Sequence, residues 1–511
     1  MQAGIAPPVV PSRDGLEREV KLAAPPEFSL PILTGIVGGV TVEPITARML
    51  DSVYYDTPDL RLARWGVTLR FRDGDGTGWT VKLPEGPDGP ALVRRELTFP
   101  GAAGTPPEEA LDLVRAYVRT SSLVRVARLR TRRQGVELRD AEGSRLGEVV
   151  LDEVSVLDGR RVASRFVELE AEVDGRAPEG LLEGILERLR TAGAGDADPT
   201  PKLVRALGTP AASTPEVAPE TLGKRATVGD VVAAAIARSV ARVLRHDPGV
   251  RLGDDPEDVH QMRVGTRRLR SDLRSFGSLL SSEWADALRD ELKWIASALG
   301  EVRDTDVLTE RLRTQAISLP DVDAAGFAPI LRQLAEEREA GRIRLLEAMR
   351  SPRYLALLDR LVSAANAPQL ADEAGGRAKD VLPGLVARPW RKLRAAVRRL
   401  PSAPSEEELH SVRVRTKRAR YAAEAAAPAL GKKARRFAEA LAGLQDVLGE
   451  HNDAVVAESW LRRAAEEADP AQALVVGELV AAQRADAAHR RREWRGAWKK
   501  ADKKKLRTWM L

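Results

Sequence analysis

Two hydrophobic periods divide this chain. In residues 1–208, apolar and polar side chains alternate in short runs broken by Gly, Asp and Pro: REVKL (18–22), LDSVYYDT (50–57), VTLRFRD (67–73), GWTVKLP (78–84), LVRRELTF (92–99), RVARLRTRR (125–133), GEVVLDEVSV (147–156) and RFVELEAEV (165–173). Period two sends successive side chains to opposite faces of an extended strand. These runs predict eight β-strands, enough to close a barrel, with helical inserts near 108–120 and 179–193. After Gly223 the spacing becomes helical, Ala, Leu and Arg dominate, and strand signals vanish. Between the halves, GTPAASTPEVAPETLG (208–223) has no amphipathic period. The expected architecture is α+β with two domains: an antiparallel eight-stranded β-barrel, or tunnel, in residues 1–208, a linker at 209–223, and an all-α duplicated helical bundle in 224–511.

The duplication is visible in the helical half. VHQMRVGTRRLR (259–270) matches LHSVRVRTKRAR (409–420) at an offset of 150, and LGEVRDTD (299–306) matches LGEHNDAV (448–455) at an offset of 149. Two motifs in the same order at nearly the same distance predict two repeats, at about 224–365 and 376–511.

Charge sharpens this division. The chain has 511 residues and a net charge of +6. Residues 1–208 hold 28 Lys+Arg against 32 Asp+Glu, while 209–511 hold 53 against 43. The helical half is therefore where a polyanion surface is expected. Cysteine is absent, which excludes disulfides and thiolate metal sites. No signal peptide is expected at Met1–Ser12, and no apolar run is long enough to predict a membrane span, so a cytoplasmic protein is expected.

The alternating strands carry unusual side chains. Glu17, Glu19 and Lys21 share one phase of the first strand. The pattern recurs as Arg70 with Arg72, Thr80 with Lys82, Arg94 with Glu96, Arg128 with Arg130 and Arg132, and Glu168 with Glu170. Val20, Leu69, Phe71, Val81, Leu129, Val167 and Leu169 occupy the intervening positions. Such a charged face either meets solvent or lines a lumen around a charged ligand. Its signs are sorted, with carboxylates in the first and last strands and cations between them. Oxygen ligands for a hard divalent ion beside rings of Arg and Lys suit a metal-bound polyphosphate, which favours the lumen. Phosphoryl transfer needs positioning and charge neutralisation more than a covalent nucleophile, and residues 1–208 contain no histidine to activate one. As a base for water, Lys21 and a carboxylate both remain open.

Taken in order, EREVK (17–21), YYDTPDLRLARWGVTLRFR (54–72), GWTVKLP (78–84) and RREL (94–97) resemble the CYTH family of triphosphate tunnel enzymes, over residues 17–205. That resemblance implies a tunnel with Mg²⁺ or Mn²⁺ held by Glu17, Glu19, Asp152, Glu168 and Glu170. It implies phosphate contacts from Lys21, Arg70, Arg72, Lys82, Arg94, Arg128, Arg130 and Lys202, and catalysis carried by Lys21, Glu17 and Glu19. Pro201 stands where family members often carry Ser. The implied activity is metal-dependent hydrolysis of inorganic triphosphate or a related triphosphate. Its alternatives are non-catalytic polyphosphate binding and the family's adenylate cyclase and thiamine triphosphatase activities.

On a helix, His260, Arg263, Arg267, Arg270 and Arg274 fall within about 80° of arc, and His410, Arg413, Lys417 and Arg420 repeat the stripe, with Glu424 in the last place. A basic stripe is often only a solvated face; its duplication, each copy opened by histidine, points to function. The repeated H-x-x-R-V-x-x-[RK]-R-x-R resembles the CHAD family of helical domains, over about 224–511, which implies that these nine residues bind polyphosphate. Val455 departs from the aspartate at Asp306. In the tail, His489–Trp509, ten Lys/Arg interleave with Trp494, Trp498 and Trp509; inward-packed tryptophans are expected before nucleic-acid stacking. The expected partners are inorganic triphosphate and polyphosphate, without membrane or nucleic acid, and association with polyphosphate granules is left open.

Overall fold

All eight predicted strands form: β1 (Leu16–Leu22), β2 (Thr41–Asp56), β3 (Thr68–Asp73), β4 (Gly78–Asp88), β5 (Ala91–Phe99), β6 (Val124–Arg139), β7 (Arg145–Asp158) and β8 (Arg161–Val173). The computed structural model describes residues 16–25, 27–74, 77–88, 91–317 and 324–510. It divides between Glu216 and Val217 into two compact units.

In the first unit the strands close antiparallel in the order β1-β5-β4-β3-β2-β6-β7-β8. Register sets the charged phase of neighbouring strands side by side: Lys21 faces Glu170, Glu168 faces Asp152, and Asp152 faces Arg133. This phase turns inward. The apolar phase turns outward and is covered by short helices, α1 (Arg61–Arg64), α2 (Glu108–Val118) and α3 (Leu181–Thr191). Val20, Leu22, Leu169, Ala171 and Val173 pack with Leu181, Ile185 and Leu189 of α3. Trp79 lies 5.0 Å from Tyr55 and 5.5 Å from Phe71, and its indole N–H donates to the Ala102 carbonyl at 2.9 Å. The larger hydrophobic core thus sits outside the wall.

One end of the lumen is apolar. There Tyr54, Leu129 and Val154 pack with Leu203 of α4 (Lys202–Leu207) and Ala211. Close strand approach requires glycine at two places: a Cβ at Gly135 or Gly147 would lie 2.2 Å from the Val149 or Glu172 carbonyl oxygen. The early part of the expected linker rests on this unit. Ala211 is buried, and Glu216 accepts from Arg119 Nη1 and Trp65 Nε1, both at 2.9 Å.

The second unit has nine α-helices among the described residues: α5 (Val228–Leu252), α6 (Pro256–Ser275), α7 (Ser282–Ala316), α8 (Ala324–Arg350), α9 (Pro352–Asn366), α10 (Ala378–Arg398), α11 (Glu406–Leu430), α12 (Lys432–Ala464) and α13 (Pro470–Ala501). The first residues of α5, α6 and α7 precede those of α10, α11 and α12 by 150 residues, so the duplication includes the helix starts. Local chemistry marks them: Thr227 with Asp230 forms a capping box on α5, and Ser405 with Glu408 forms one on α11. In the tail, Trp494 is buried, Trp498 stacks on Trp390 at 5.4 Å, and Trp509 meets Phe437 edge-on at 6.2 Å. The tryptophans pack inward.

Trp390 joins this cluster, touching Phe437 at 5.2 Å as well as Trp498. Trp390→Ala is expected to cost about 3–5 kcal/mol of stability by leaving a cavity. A denaturant titration of the helical transition measures this loss; an unchanged midpoint would remove the cluster from the list of supports.

Candidate functional site

The barrel encloses a cavity of about 220 Å³ whose lining is almost wholly charged. β1 contributes Glu19 and Lys21, β3 Arg70 and Arg72, β4 Lys82, β5 Arg94 and Glu96, β8 Glu170 and Glu172, and α4 Lys202. Alternation on a closed sheet aims these chains from five strands at one volume. Asp152 and Glu168 lie beside it, fully buried.

Three cations organise the carboxylates. Lys21 Nζ pairs with Glu170 and lies 3.2 Å from Glu19 and 3.1 Å from Glu168. Lys202 Nζ donates to Asp152 at 2.5 Å and Glu170 at 2.9 Å, and lies 3.1 Å from Glu168. Arg133 forks onto Asp152 through Nε (2.9 Å) and Nη2 (2.8 Å), while Nη1 donates to Glu148 at 2.8 Å. Elsewhere in the lining Glu96 pairs with Lys82 and accepts from Arg70 at 3.2 Å.

Burial resists ionisation throughout this lattice, and the neighbours decide which groups remain charged. Against burial, Lys202, Lys21 and Arg133 hold Glu170 well below the usual carboxylate range. At Glu19 burial and Glu170 raise the pKa, but Lys21, Lys82 and Arg94 together outweigh them and keep it low. Burial prevails at Glu168, and with Glu170 beside it the carboxyl is pushed up to about 7. Arg70, then burial, then Arg133 pull Arg72 down to about 10. Part of the lining is therefore crowded with positive charge.

The carboxylates suit a divalent cation. Glu19 Oε1 and both oxygens of Glu168 are buried without an aligned hydrogen bond, and the ammonium groups of Lys21 and Lys202 meet Glu19 Oε1 and Glu168 Oε2 at 3.1–3.2 Å. Among the described residues no three acidic or histidine side chains form a ready-made cage. Glu19 and Glu168 fit an ion that takes one or two carboxylates and completes its shell with phosphate oxygens and water, as Mg²⁺ does.

The structure brings together most residues selected from sequence. Glu17 pairs opposite Arg94 in β1, and its side chain lies outside the described residues. Arg128 and Arg130 require correction. Both point away from the lumen, 48% and 47% exposed, and pair with Asp51 at 3.7 and 3.2 Å. The inward phase of β6 is Leu129, Thr131 and Arg133, because Leu129 belongs to the apolar end beside α4. Arginines occupy both phases between 128 and 133, so alternation alone could not choose between them. Arg133 was missed, as were Arg48, Arg145, Glu148 and Glu172. The signal for Glu172 was present in the run Glu168, Glu170, Glu172.

In the helical unit, α6 and α7 meet α11 and α12 around a groove of about 340 Å³. His260, Arg263 and Arg267 face Arg413 and Lys417 of the second repeat, joined by Arg303 and Arg311 of α7. Arg263 donates to Asp304 at 2.6 Å, and Arg413 lies 3.7 Å from Asp453. Burial first, then Arg413, Arg267 and Arg263, pull Lys417 down to about 8, with Asp453 opposing. Other members of the two stripes lie apart from this groove. His410 lines a neighbouring cavity, where Asn452 Oδ1 is 3.0 Å from its Nδ1. Arg420 donates to Glu424 at 2.6 Å. Arg270 lies near Arg289 and Asp290, and Arg274 lines a separate cleft. One arc on a wheel spans about 20 Å of helix between residues 260 and 274, more than one groove covers.

Known proteins match this arrangement. The CYTH domain family matches residues 15–203 and the CHAD domain family residues 234–462. The uncharacterized protein Rv2226 of Mycobacterium tuberculosis H37Rv is 34% identical over 504 residues, covering 93% of this chain and 94% of that protein. The uncharacterized protein MT2285 of the CDC 1551 / Oshkosh strain matches to the same extent. Among solved structures, PptA from Streptomyces chartreusis is 26% identical with a TM-score of 0.46, covering 54% of this chain and all of that one. The CHAD domain from the plant Ricinus communis is 28% identical with a TM-score of 0.44, covering 55% of this chain and 95% of that one. The chain belongs to the family that joins a CYTH domain, a triphosphate-tunnel fold whose members are generally metal-dependent, to a CHAD domain. No helix among the described residues is long and apolar enough to cross a membrane.

Removing Arg133 leaves Asp152 and Glu170 buried with less compensation. Arg133→Gln is expected to cost about 3–5 kcal/mol, the penalty for breaking a buried ion pair from one side. Chemical denaturation of the barrel transition reads this directly, and a loss under about 1 kcal/mol contradicts a structural role for the fork.

Proposed function

We propose that the barrel is a metal-dependent triphosphatase for inorganic triphosphate or a related triphosphate, and that the helical unit binds inorganic polyphosphate. The observation that carries the first part is the lining, with nine cations against five carboxylates among the described residues around one small cavity. Among the described residues its uncharged members are Tyr54, Thr68, Pro201 and Leu203, so a single buried ring, that of Tyr54, is all the flat surface available to a nucleobase. That favours an inorganic chain over a nucleotide.

Each set of residues has a distinct task. Arg70, Arg72, Lys82 and Arg94 hold phosphate oxygens and relieve their own crowding as they do so. Glu19 and Glu168, with Glu17, would hold the divalent ion; when bound, that ion neutralises phosphate charge and polarises the phosphorus–oxygen bond. Lys21 and Lys202 keep Glu170 ionised and in place, and Lys202 does the same for Asp152. The enclosing wall limits the water around the phosphates, which strengthens every one of these contacts.

The groove between the repeats supports the second part. It places cations from both copies around one concave surface, which suits a thin polyanion chain. Arg128 and Arg130 have no part in either site.

Glu19→Gln should lower turnover of tripolyphosphate at least 100-fold with the fold intact, since it removes a charge and little volume. Phosphate release at saturating Mg²⁺ or Mn²⁺ measures it; activity near wild type would refute the assignment. The paired substitution Arg128→Gln with Arg130→Gln should leave turnover within about twofold.

Polyphosphate binding by the groove should weaken steeply with salt and also depend on pH. Lys417 is fully charged only below its pKa of about 8, and a bound polyanion raises that value. Affinity should therefore be flat below pH 7 and fall as pH rises through 8, by at most one log unit per pH unit. His260 is held low by burial and Arg303, so it remains neutral across this window. Lys417→Arg should flatten the profile between pH 7.5 and 9.5. A flat wild-type profile would exclude Lys417 from the contact.

A further inference from the structure

The duplicated helices differ in one place where the difference is electrostatic. In the first repeat, Arg238 and Arg242 of α5 and Arg268 of α6 lie together, with two acids supplied by the protein. Glu424 pairs with Arg268, and Asp272 lies 4.0 Å from it. The corresponding positions, 150 residues on, are Arg388, Lys392 and Arg418. Here the acids are gone: Ala422 stands for Asp272, and Arg274 occupies the place that corresponds to Glu424.

The second location is also open where the first is closed. At Gly265, α5 and α6 approach so closely that an added Cβ would lie 3.0 Å from Val243 and 3.1 Å from the Ser239 carbonyl oxygen. The second repeat carries Arg415 at this position, a side chain that such packing cannot admit. Between α6, α10 and α11 there is instead a cleft of about 490 Å³. Arg274, Arg388, Lys392, Arg415 and Arg418 line it with Ser275 and Ser278, over Leu385 and Pro389, and no carboxylate is among the lining residues. Among the described residues none of the five cations forms an ion pair. Arg415 Nε is buried without a hydrogen-bond partner.

We propose that this cleft binds a phosphate group, which takes the place of the two acids, Glu424 and Asp272, that partly compensate the first repeat. Five cations and two hydroxyls offer more donors than the two oxygens of a carboxylate can accept, whereas a phosphate presents three or four. The group comes either from a free phosphate or from a polyphosphate chain lying across the unit. The site is distinct from the groove built on Arg263, Arg267, Arg413 and Lys417, and its existence does not depend on polyphosphate binding there.

The test uses the full-length protein and Arg274→Glu, which installs in the cleft the acid that the first repeat has. Both are titrated calorimetrically with orthophosphate and with long-chain polyphosphate at constant ionic strength in chloride. At least a tenfold loss of affinity at one site per chain is expected in the variant. Loss with orthophosphate identifies a free phosphate as the ligand; loss with polyphosphate alone identifies a chain segment. Binding elsewhere persists in both proteins because its residues are untouched. Arg274→Glu should also melt no lower than wild type at low salt, since it relieves repulsion. Arg388→Ser with Lys392→Ser, which adds no acid, should reduce the same binding by a smaller factor. Superimposable titrations of wild type and both variants overturn the proposal, as does a wild-type response to orthophosphate and polyphosphate that equal ionic strength of chloride reproduces.

Discussion

Charge compensated by charge, out of contact with bulk water, is the constraint on which the first unit depends. A small barrel is ordinarily stabilised by apolar side chains inside it. Here the interior holds Lys21, Lys202, Arg133 and their carboxylates, and removing any one leaves its partners buried with less compensation. The hydrophobic stabilisation has to come from elsewhere. It comes from the outer wall, where α3 covers β1 and β8, and where Trp79 is packed between Tyr55 and Phe71. The short helices therefore do what a core does in an ordinary barrel.

This inversion explains both the success and the failures of reading the site from sequence. Alternation is as strong in an inverted barrel as in a normal one, so all eight strands and the charged phase of β1, β3, β4, β5 and β8 were legible. Sorting of sign then distinguished lumen from solvent. β6 failed because its arginines occupy both phases, and the deciding residue, Leu129, answers to the apolar end and α4, which lie far away in sequence. Arg48 was hidden for a different reason. β2 begins at Thr41, and its pairing with β6 shifts register between Ile45 and Arg48, so its early half has no continuous alternation. The docking of 209–216 depends on Glu216 meeting Trp65 and Arg119, a contact that composition does not encode.

The helical unit shows what duplication makes visible and what it conceals. Repeated motifs disclosed two bundles and a basic stripe in each. A helical wheel projects away the axis, so it grouped Arg274 with His260 although they serve different surfaces. Differences between the copies carry as much information as their likeness. Gly265 against Arg415, and Glu424 against Arg274, are substitutions at matched positions whose surroundings differ accordingly.

The apolar end of the barrel has a kinetic corollary. Tyr54, Leu129, Val154 and Leu203 fill that end, so on the proposed reading a rod-shaped anion would enter from the opposite, charged end. On that reading, a chain longer than the well would present its terminus to it rather than its middle. Whatever fragment remains deepest in the well is the last to leave. If the barrel turns over such a chain as proposed, release of that fragment would become a candidate for the slow step, with added product competing for the mouth.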